Sequence, residues 1–427
     1  GRRPLVYPRA MALLETDRRV LVLSFARMAD EMGNSFLIVI LPLYIASGQI
    51  NLSGLVGTTL PVLGISLSET LLIGLVLSLF GFLNSLSQPL TGWLTDYFGR
   101  RRVFILIGLF ILGVGSAGYL VVSAYRWVLF FRLLQGIGAA FTIPATVALV
   151  NEFAAGDRAR GGNFGVYNTF RLLGFGFGPI VAGVVVRLWG FDAGFMVAVV
   201  GAFLSFLLVT LFVSDPPETR ASAGKDLSIA VRGTDGHLLD PVFALGLGTI
   251  AMGMTIALFA PLEAQINARL GQSTILFGLQ FGAVTIANVI FQIPVGRASD
   301  GYGRRPFLLL GFLILVPATL AQGVVANPAT MTMARFAQGI AVAMVFAPSL
   351  ALAGDLAREG ASGTTLSVLT MAFGFGIALG PISAGYLERF GFHVPFPIGA
   401  GLAGLGFLVT YSQVPETLSG TKSILGQ

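Results

Sequence analysis

Residues 84–102 read NSLSQPLTGWLTDYFGRRR, and residues 288–306 read NVIFQIPVGRASDGYGRRP. Asn84, Gln88, Gly92, Asp96, Gly99, Arg100 and Arg101 recur as Asn288, Gln292, Gly296, Asp300, Gly303, Arg304 and Arg305, each 204 positions on. Three more matches follow in the same order: Arg132-LLQG with Arg335-FAQG, Gly178-Pro179 with Gly380-Pro381, and Pro217-Glu218-Thr219 with Pro415-Glu416-Thr417. Ordered recurrence at a near-constant offset means that one structural unit occurs twice.

What surrounds these motifs is apolar. The chain is 55% hydrophobic and 11% charged, where a soluble domain carries about 25% charged residues. A water-soluble globule of this size could not cover so much apolar surface, so the solvent must be lipid. A spanning helix needs about 20 mostly apolar residues. That criterion places spans near 20–47, 70–92, 103–123, 127–152, 162–188 and 191–213, and again near 239–268, 273–296, 305–325, 328–354, 362–387 and 394–413. The fold expected is therefore an all-α membrane protein of twelve helices in two pseudo-symmetric halves. Residues 1–213 form the first half, 214–238 a polar cytoplasmic linker and 239–427 the second. The 56 glycines suit close helix packing in lipid.

Positive charge orients the bundle. With both termini in the cytoplasm, only Arg126, Arg187, Arg269 and Arg389 lie outside, and Arg27, Arg132, Arg171 and Arg335 fall within spans; all other Lys and Arg are inside. The expected location is the plasma (cell inner) membrane. The segment Gly1–Arg19 is basic without an apolar core, which does not suit a cleavable signal. The net charge of +6 is dispersed over short connectors, so no nucleic-acid surface is expected. Cysteine is absent, and His237 and His393 are too few for a histidine metal centre. No GxxxxGK[ST] phosphate loop is present, which argues against ATP as the energy source and leaves no enzyme signature.

GWLTDYFGRRR resembles the signature loop between spans 2 and 3 of the major facilitator superfamily, and GRASDGYGRRP its echo between spans 8 and 9. RLLQGIGAA (132–140) resembles the span-4 motif of that family, here Arg132, Gln135 and Gly136. GFGFGPIVAG (174–183) resembles the Gly-Pro span-5 motif of its proton-coupled antiporters, here Gly174, Gly178, Pro179 and Gly183, with Ala182 in place of a second terminal glycine. The resemblance covers the whole chain. It implies a monomeric secondary transporter that alternates access to a small molecule held between the halves, with no cofactor and a proton gradient as energy source. The Gly-Pro motif and the acidic first span resemble the drug:proton antiporter branch of the family, which implies export of an amphipathic or lipophilic compound. Proton-coupled uptake of a sugar, organic acid or other nutrient is the alternative within the class. A non-transporting receptor or assembly factor on the same fold is the alternative outside it.

Gly92 is expected to let span 2 pack against span 11, with Asp96 and Arg100 joining a charge latch that includes Gly99 and Arg101. The copy at Gly296, Asp300 and Arg304 is expected to latch less tightly, because Pro306 stands where the first loop has Arg102. Gly174, Gly178 and Gly183 are read as one face of span 5, forming a seam with span 8, with Pro179 as a kink.

Ionisable residues at depth point to the chemistry. At about 1.5 Å per residue, Asp30 lies ~16 Å beyond Arg19, near the bilayer middle. A carboxylate there costs several kcal/mol unless it is paired or protonated. Asp30 is therefore the first candidate proton carrier and Glu31 the second. Arg27, one turn before Glu31, offers an intrahelical ion pair, and Arg171 in span 5 is the expected cross-helix partner of Asp30. Asn34, Arg171 and Asn288 are the candidate lining of the substrate cavity. Glu263 and Asp240 are read as interfacial charges.

Overall fold

In a computed structural model, the structure describes residues 17–60, 64–153, 157–215, 231–233, 238–356 and 362–417. Helix α1 is Arg18–Ala46, α2 Glu69–Phe98, α3 Arg101–Gly118 and α4 Tyr125–Glu152. A helical run over Asp157–Phe212 follows, whose backbone leaves helical geometry at Gly190 (φ 83°). Its lipid-compatible portion, Gly165–Phe212, has 48 residues. At ~1.5 Å each that is about 72 Å, more than twice the hydrocarbon thickness of about 30 Å. Gly190 therefore joins two spans, α5 (157–189) and α6 (191–212), through a positive φ that a residue with a Cβ would resist.

The second half repeats the order: α7 Pro241–Leu270, α8 Thr274–Tyr302, α9 Arg304–Val324, α10 Pro328–Leu356, α11 and α12. Helix α11 covers Ser362–Leu387 and α12 Pro395–Gln413. Helix α7 is interrupted by a 3-10 turn at Ala260–Leu262 before its last piece, Glu263–Leu270. Eleven helical runs among the described residues are long and apolar enough to cross a membrane, and the break at Gly190 makes them twelve spans.

Local sequence explains where the helices begin and end. Ser68 caps α2 by accepting from the Leu71 N–H (3.1 Å), and Gly99, at φ 63°, ends it. Asp240, read as an interfacial charge, caps α7 by accepting from Val242 and Phe243. Between α1 and α2 the connector carries a two-residue hairpin, β1 (Thr59–Leu60) against β2 (Ile65–Ser66).

The halves meet along α2 with α11 and α5 with α8. Glycines set how closely. A side chain on Gly74 or Gly385 would strike the backbone of α11 or α2, and one on Gly278 the Pro179 carbonyl of α5. These contacts all lie toward the ends of the spans away from the 92–102 loop. There too Gln265 Nε2 donates to Thr70 Oγ1 (2.7 Å), and the Ile382 N–H to Ser78 Oγ (3.0 Å). At the other end, added side chains on Gly92 and Gly296 would meet nothing among the described residues. Among the described residues, these contacts between the halves lie at the ends of the spans away from the repeated loops. The two helices approach at Gly74 and Gly81 and again where Gly374 meets Ser85; the expected packing of Gly92 against span 11 falls where the side chains of α11 lie outside the described residues.

Candidate functional site

One turn of α1 carries three buried charges. Arg27, Asp30 and Glu31 are 6%, 5% and 6% exposed. The Arg27 guanidinium donates through Nη1 to Asp30 Oδ2 and meets Glu31 Oε2 through Nη2 at 2.6 Å. Helical spacing at i+3 and i+4 brings all three together on one face. The Arg27–Glu31 pair is found as the spacing suggests, but the same guanidinium also holds Asp30. Arg171 is not the partner: its Nε donates to Asn168 Oδ1 (3.1 Å), and it has no ion pair among the described residues. A residue on the same helix turn reaches Asp30 more directly than one on a neighbouring helix.

Two features of this site were not read from sequence. Tyr167 of α5 is buried and interacts electrostatically with both Arg27 and Arg171; a polar ring inside an apolar span was the available signal. Beside Arg27 and Asp30, an internal cavity of about 10 Å³ is lined by Ala26, Ile105, Thr142, Thr146 and Val209, room for about one water. Asp30 therefore faces the interior of the first half. Asn34 and Asn288 are half-buried, and no described hydrogen bond joins either of them to Arg171. Asn288 Oδ1 is buried without a hydrogen-bond partner among the described residues.

Arg132 is buried and donates to Gln135 Oε1 (3.1 Å), with its guanidinium over the Phe80 ring. Gln135 in turn donates to Ser116 (2.9 Å), and Gly136 lets α4 approach Phe80 and Leu83 of α2. Arg335 repeats the arrangement, donating to Gln338 Oε1 (2.6 Å) and stacking on Phe259.

The loop arginines act within each half. Arg101 pairs with Glu152, and Arg304 with Asp355 (2.9 Å) and more loosely with Asp300 (3.5 Å). The Arg102 N–H donates to Asp215 Oδ1 (2.8 Å) and its Nη2 to the Thr210 carbonyl. The Arg305 N–H donates to Glu416 Oε2 (2.9 Å) and its Nη2 to the Tyr411 carbonyl. Structurally, then, Arg101 corresponds to Arg304 and Arg102 to Arg305, 203 apart rather than 204. Arg100, before the first helical residue of α3, is an extra residue in the first loop. The weaker second latch expected from Pro306 loses its basis, because both loops keep the same two anchored arginines. The side chain of Asp96 lies outside the described residues, as does Glu218.

The span-5 glycines do not share one face. Gly174 and Gly178 press on Met28, Met32 and Ser35 of α1, whereas Gly176 and Gly183 meet Thr285, Thr274 and Ile275 of α8. The α5–α8 seam exists, but Gly183 alone of the three expected residues lies in it. Pro179 lies there as well, its carbonyl facing Gly278.

Similarity to known proteins agrees with the bundle. The human synaptic vesicular amine transporter is 24% identical over 76% of this chain and 62% of its own length, so this chain spans less than two thirds of that relative. The multi-drug resistance efflux pump PmrA of Streptococcus pneumoniae is 24% identical over 76% of this chain and 81% of its own. Among solved structures, the human organic anion transporter MFSD10 superposes with TM-score 0.67 at 20% identity, covering 95% of this chain and all of that one. A D-xylose-proton symporter does so with TM-score 0.68 at 16% identity, covering 97% of this chain and 100% of that one; at these identities the likeness concerns the fold. The family description Major Facilitator Superfamily matches residues 23–244 and again 245–426, and with the doubled loop, the two six-helix halves and the seal between them, the chain belongs to the Major Facilitator Superfamily of transporters.

Proposed function

We propose that this chain is a proton-coupled transporter that exports an amphipathic or lipophilic small molecule by alternating access. It works as a single chain in the cell membrane with both termini in the cytoplasm. In that orientation the contacts described between the halves lie on the outer side.

The observation that carries the coupling is the buried cluster on α1. One guanidinium serves two carboxylates, so the cluster bears a net negative charge when both are ionised and none when one holds a proton. Asp30 borders the small cavity that Arg27, Thr142 and Thr146 also line, which gives its proton a place to exchange through a water. Glu31 stays paired with Arg27 and acts as the positioning residue. Export is supported by the efflux pump and the vesicular amine transporter among the relatives. Arg171, half-buried and without an ion pair among the described residues, favours a second reading in which the substrate carries a negative group.

Accumulation driven by an imposed pH gradient in proteoliposomes tests the assignment. Asp30→Asn keeps the shape of the side chain but cannot titrate, so uphill transport is lost while downhill exchange remains measurable. Glu31→Gln lowers stability more than coupling. Undiminished uphill transport by Asp30→Asn removes it as carrier, and loss at Glu31 alone moves the role one residue along. A panel of organic cations and anions separates the two substrate readings.

A further inference from the structure

We propose that Glu263 is a second proton-binding site, built into the seal on the outer side, and that its protonation holds the seal shut. By sequence it looks like an interfacial charge near the end of a span. The structure instead buries it completely, at 0% exposure. Neither carboxyl oxygen has a hydrogen-bond partner among the described residues.

Glu263 opens the last piece of α7, directly after the 3-10 turn, within an apolar cluster that includes Phe259, Leu262, Ile266 and Phe277. Among the described residues, no ionisable group is its partner. On α1, Tyr44 gives its hydroxyl to the Val122 carbonyl (3.2 Å). On α2, Glu69 stands at the exposed helix start. The adjoining stretch of α8 contributes only Gln280, bonded to Gln272. On α10, Arg335 donates to Gln338 and to the carbonyls of Gln280 and Ile256; its Nη2 has no hydrogen-bond partner among the described residues and makes no ion pair with Glu263 there. On α11, Tyr386 stacks with Arg389. Farther along α7 itself, Arg269 is exposed and turns to His393 (3.4 Å) and the Phe392 ring.

Buried at 0% exposure and with no cation or hydrogen-bond donor paired to it among the described residues, this carboxyl fits the site as the neutral acid. The site also lies where the halves meet: the 3-10 turn touches α1, α2 and α11, and the piece Glu263–Leu270 touches α1 and α8. Parting the outer side separates these surfaces and admits water, which solvates the carboxylate. The same carboxyl thus binds its proton more tightly when the outer side is shut than when it is open. By linkage, the ratio of outward-open to outward-closed molecules rises with pH, by up to about tenfold per unit while only the closed state holds the proton. The switch goes beyond the coupling proposed for Asp30 and does not depend on it, since that carboxyl faces the interior of the first half.

The absence of cysteine makes the test direct. Val121→Cys and Val324→Cys place spin labels at outer ends in opposite halves, where the native residues are 84% and 71% exposed. Distances between the labels, measured in lipid nanodiscs from mildly acidic to mildly alkaline pH, should show a long-distance population that grows about tenfold or more. With Glu263→Gln, which mimics the neutral acid, that population should stay within about twofold of its acidic value. Infrared difference spectra should show a protonated-carboxyl band in the parent that Glu263→Gln lacks. Asp30→Asn should keep the pH-dependent distances even where uphill transport is lost, so the two assignments fail separately. Distances indifferent to pH in the parent, a Glu263→Gln protein that follows the parental pH curve, or no such band would each overturn the proposal.

Discussion

Replacing Arg27 by Leu should expose how much the α1 cluster depends on one guanidinium. Arg27 is 6% exposed and is the only cation that ion-pairs with Asp30 or Glu31 among the described residues. Removing one partner of a buried pair costs about 3–5 kcal/mol, chiefly through the charge left behind. Here two carboxylates on adjacent residues lose their cation together, so the upper part of that range applies when both are ionised. Because the penalty belongs to the ionised forms, the deficit should shrink as pH falls. Adding Asp30→Asn and Glu31→Gln to Arg27→Leu removes all three charges and should restore stability to within about 1 kcal/mol of the parent, since neutral replacements of buried ion clusters are often tolerated. Thermal unfolding in detergent, followed by circular dichroism at two pH values, reads both effects, and a mutant cycle isolates the coupling. If Arg27→Leu is as stable as the parent, or the neutral triple variant as unstable as the single, the electrostatic account of this site is wrong.

Gly178→Leu should destabilise the fold by roughly 1–3 kcal/mol, because the new side chain meets Ser35 and the Met32 carbonyl of α1. Gly92→Leu, which meets nothing among the described residues, should leave unfolding unchanged and slow turnover if the halves must approach there during the cycle; equal melting shifts would refute the distinction. In the second loop, Asp355→Asn should lower stability and transport more than Asp300→Asn. Arg304 contacts Asp355 at 2.9 Å and Asp300 at only 3.5 Å with the latter carboxylate exposed, where a pair contributes at most about 1 kcal/mol. A larger loss at Asp300, measured by the same unfolding and uptake assays, would reverse the order.

The architecture was legible because its determinants are local. Apolar length marks each span, and the doubled loop relates the halves without any knowledge of tertiary contacts. The α1 cluster was half legible for the same reason: Arg27 and Glu31 are fixed by helical spacing, whereas choosing a partner for Asp30 required knowing which way the helix faces. Span 5 shows the limit most clearly. Its glycines serve two neighbours, and rotation of about 100° per residue separates Gly174 and Gly178 from Gly176 and Gly183. Sequence reports small residues but not whose backbone they admit. Glu263 was misplaced because its burial comes from packing against α8 and, across the halves, against α1, and neither contact is written in the local sequence.

The extra Arg100 has a consequence for how such duplicated chains drift. Helices α2 and α8 end 204 positions apart, at Phe98 and Tyr302, yet α3 and α9 begin 203 apart, at Arg101 and Arg304. In the second copy, Gly303 alone, at φ 96°, makes the turn that Gly99 and Arg100 make in the first. The two copies have therefore been free to differ in chain length at this joint while the arginine anchors to Glu152 and Asp215, or to Asp355 and Glu416, kept the helix starts in register. What the two joints share is a bonding pattern rather than a residue count, and an alignment of the halves that forbids a gap there pairs the wrong arginines.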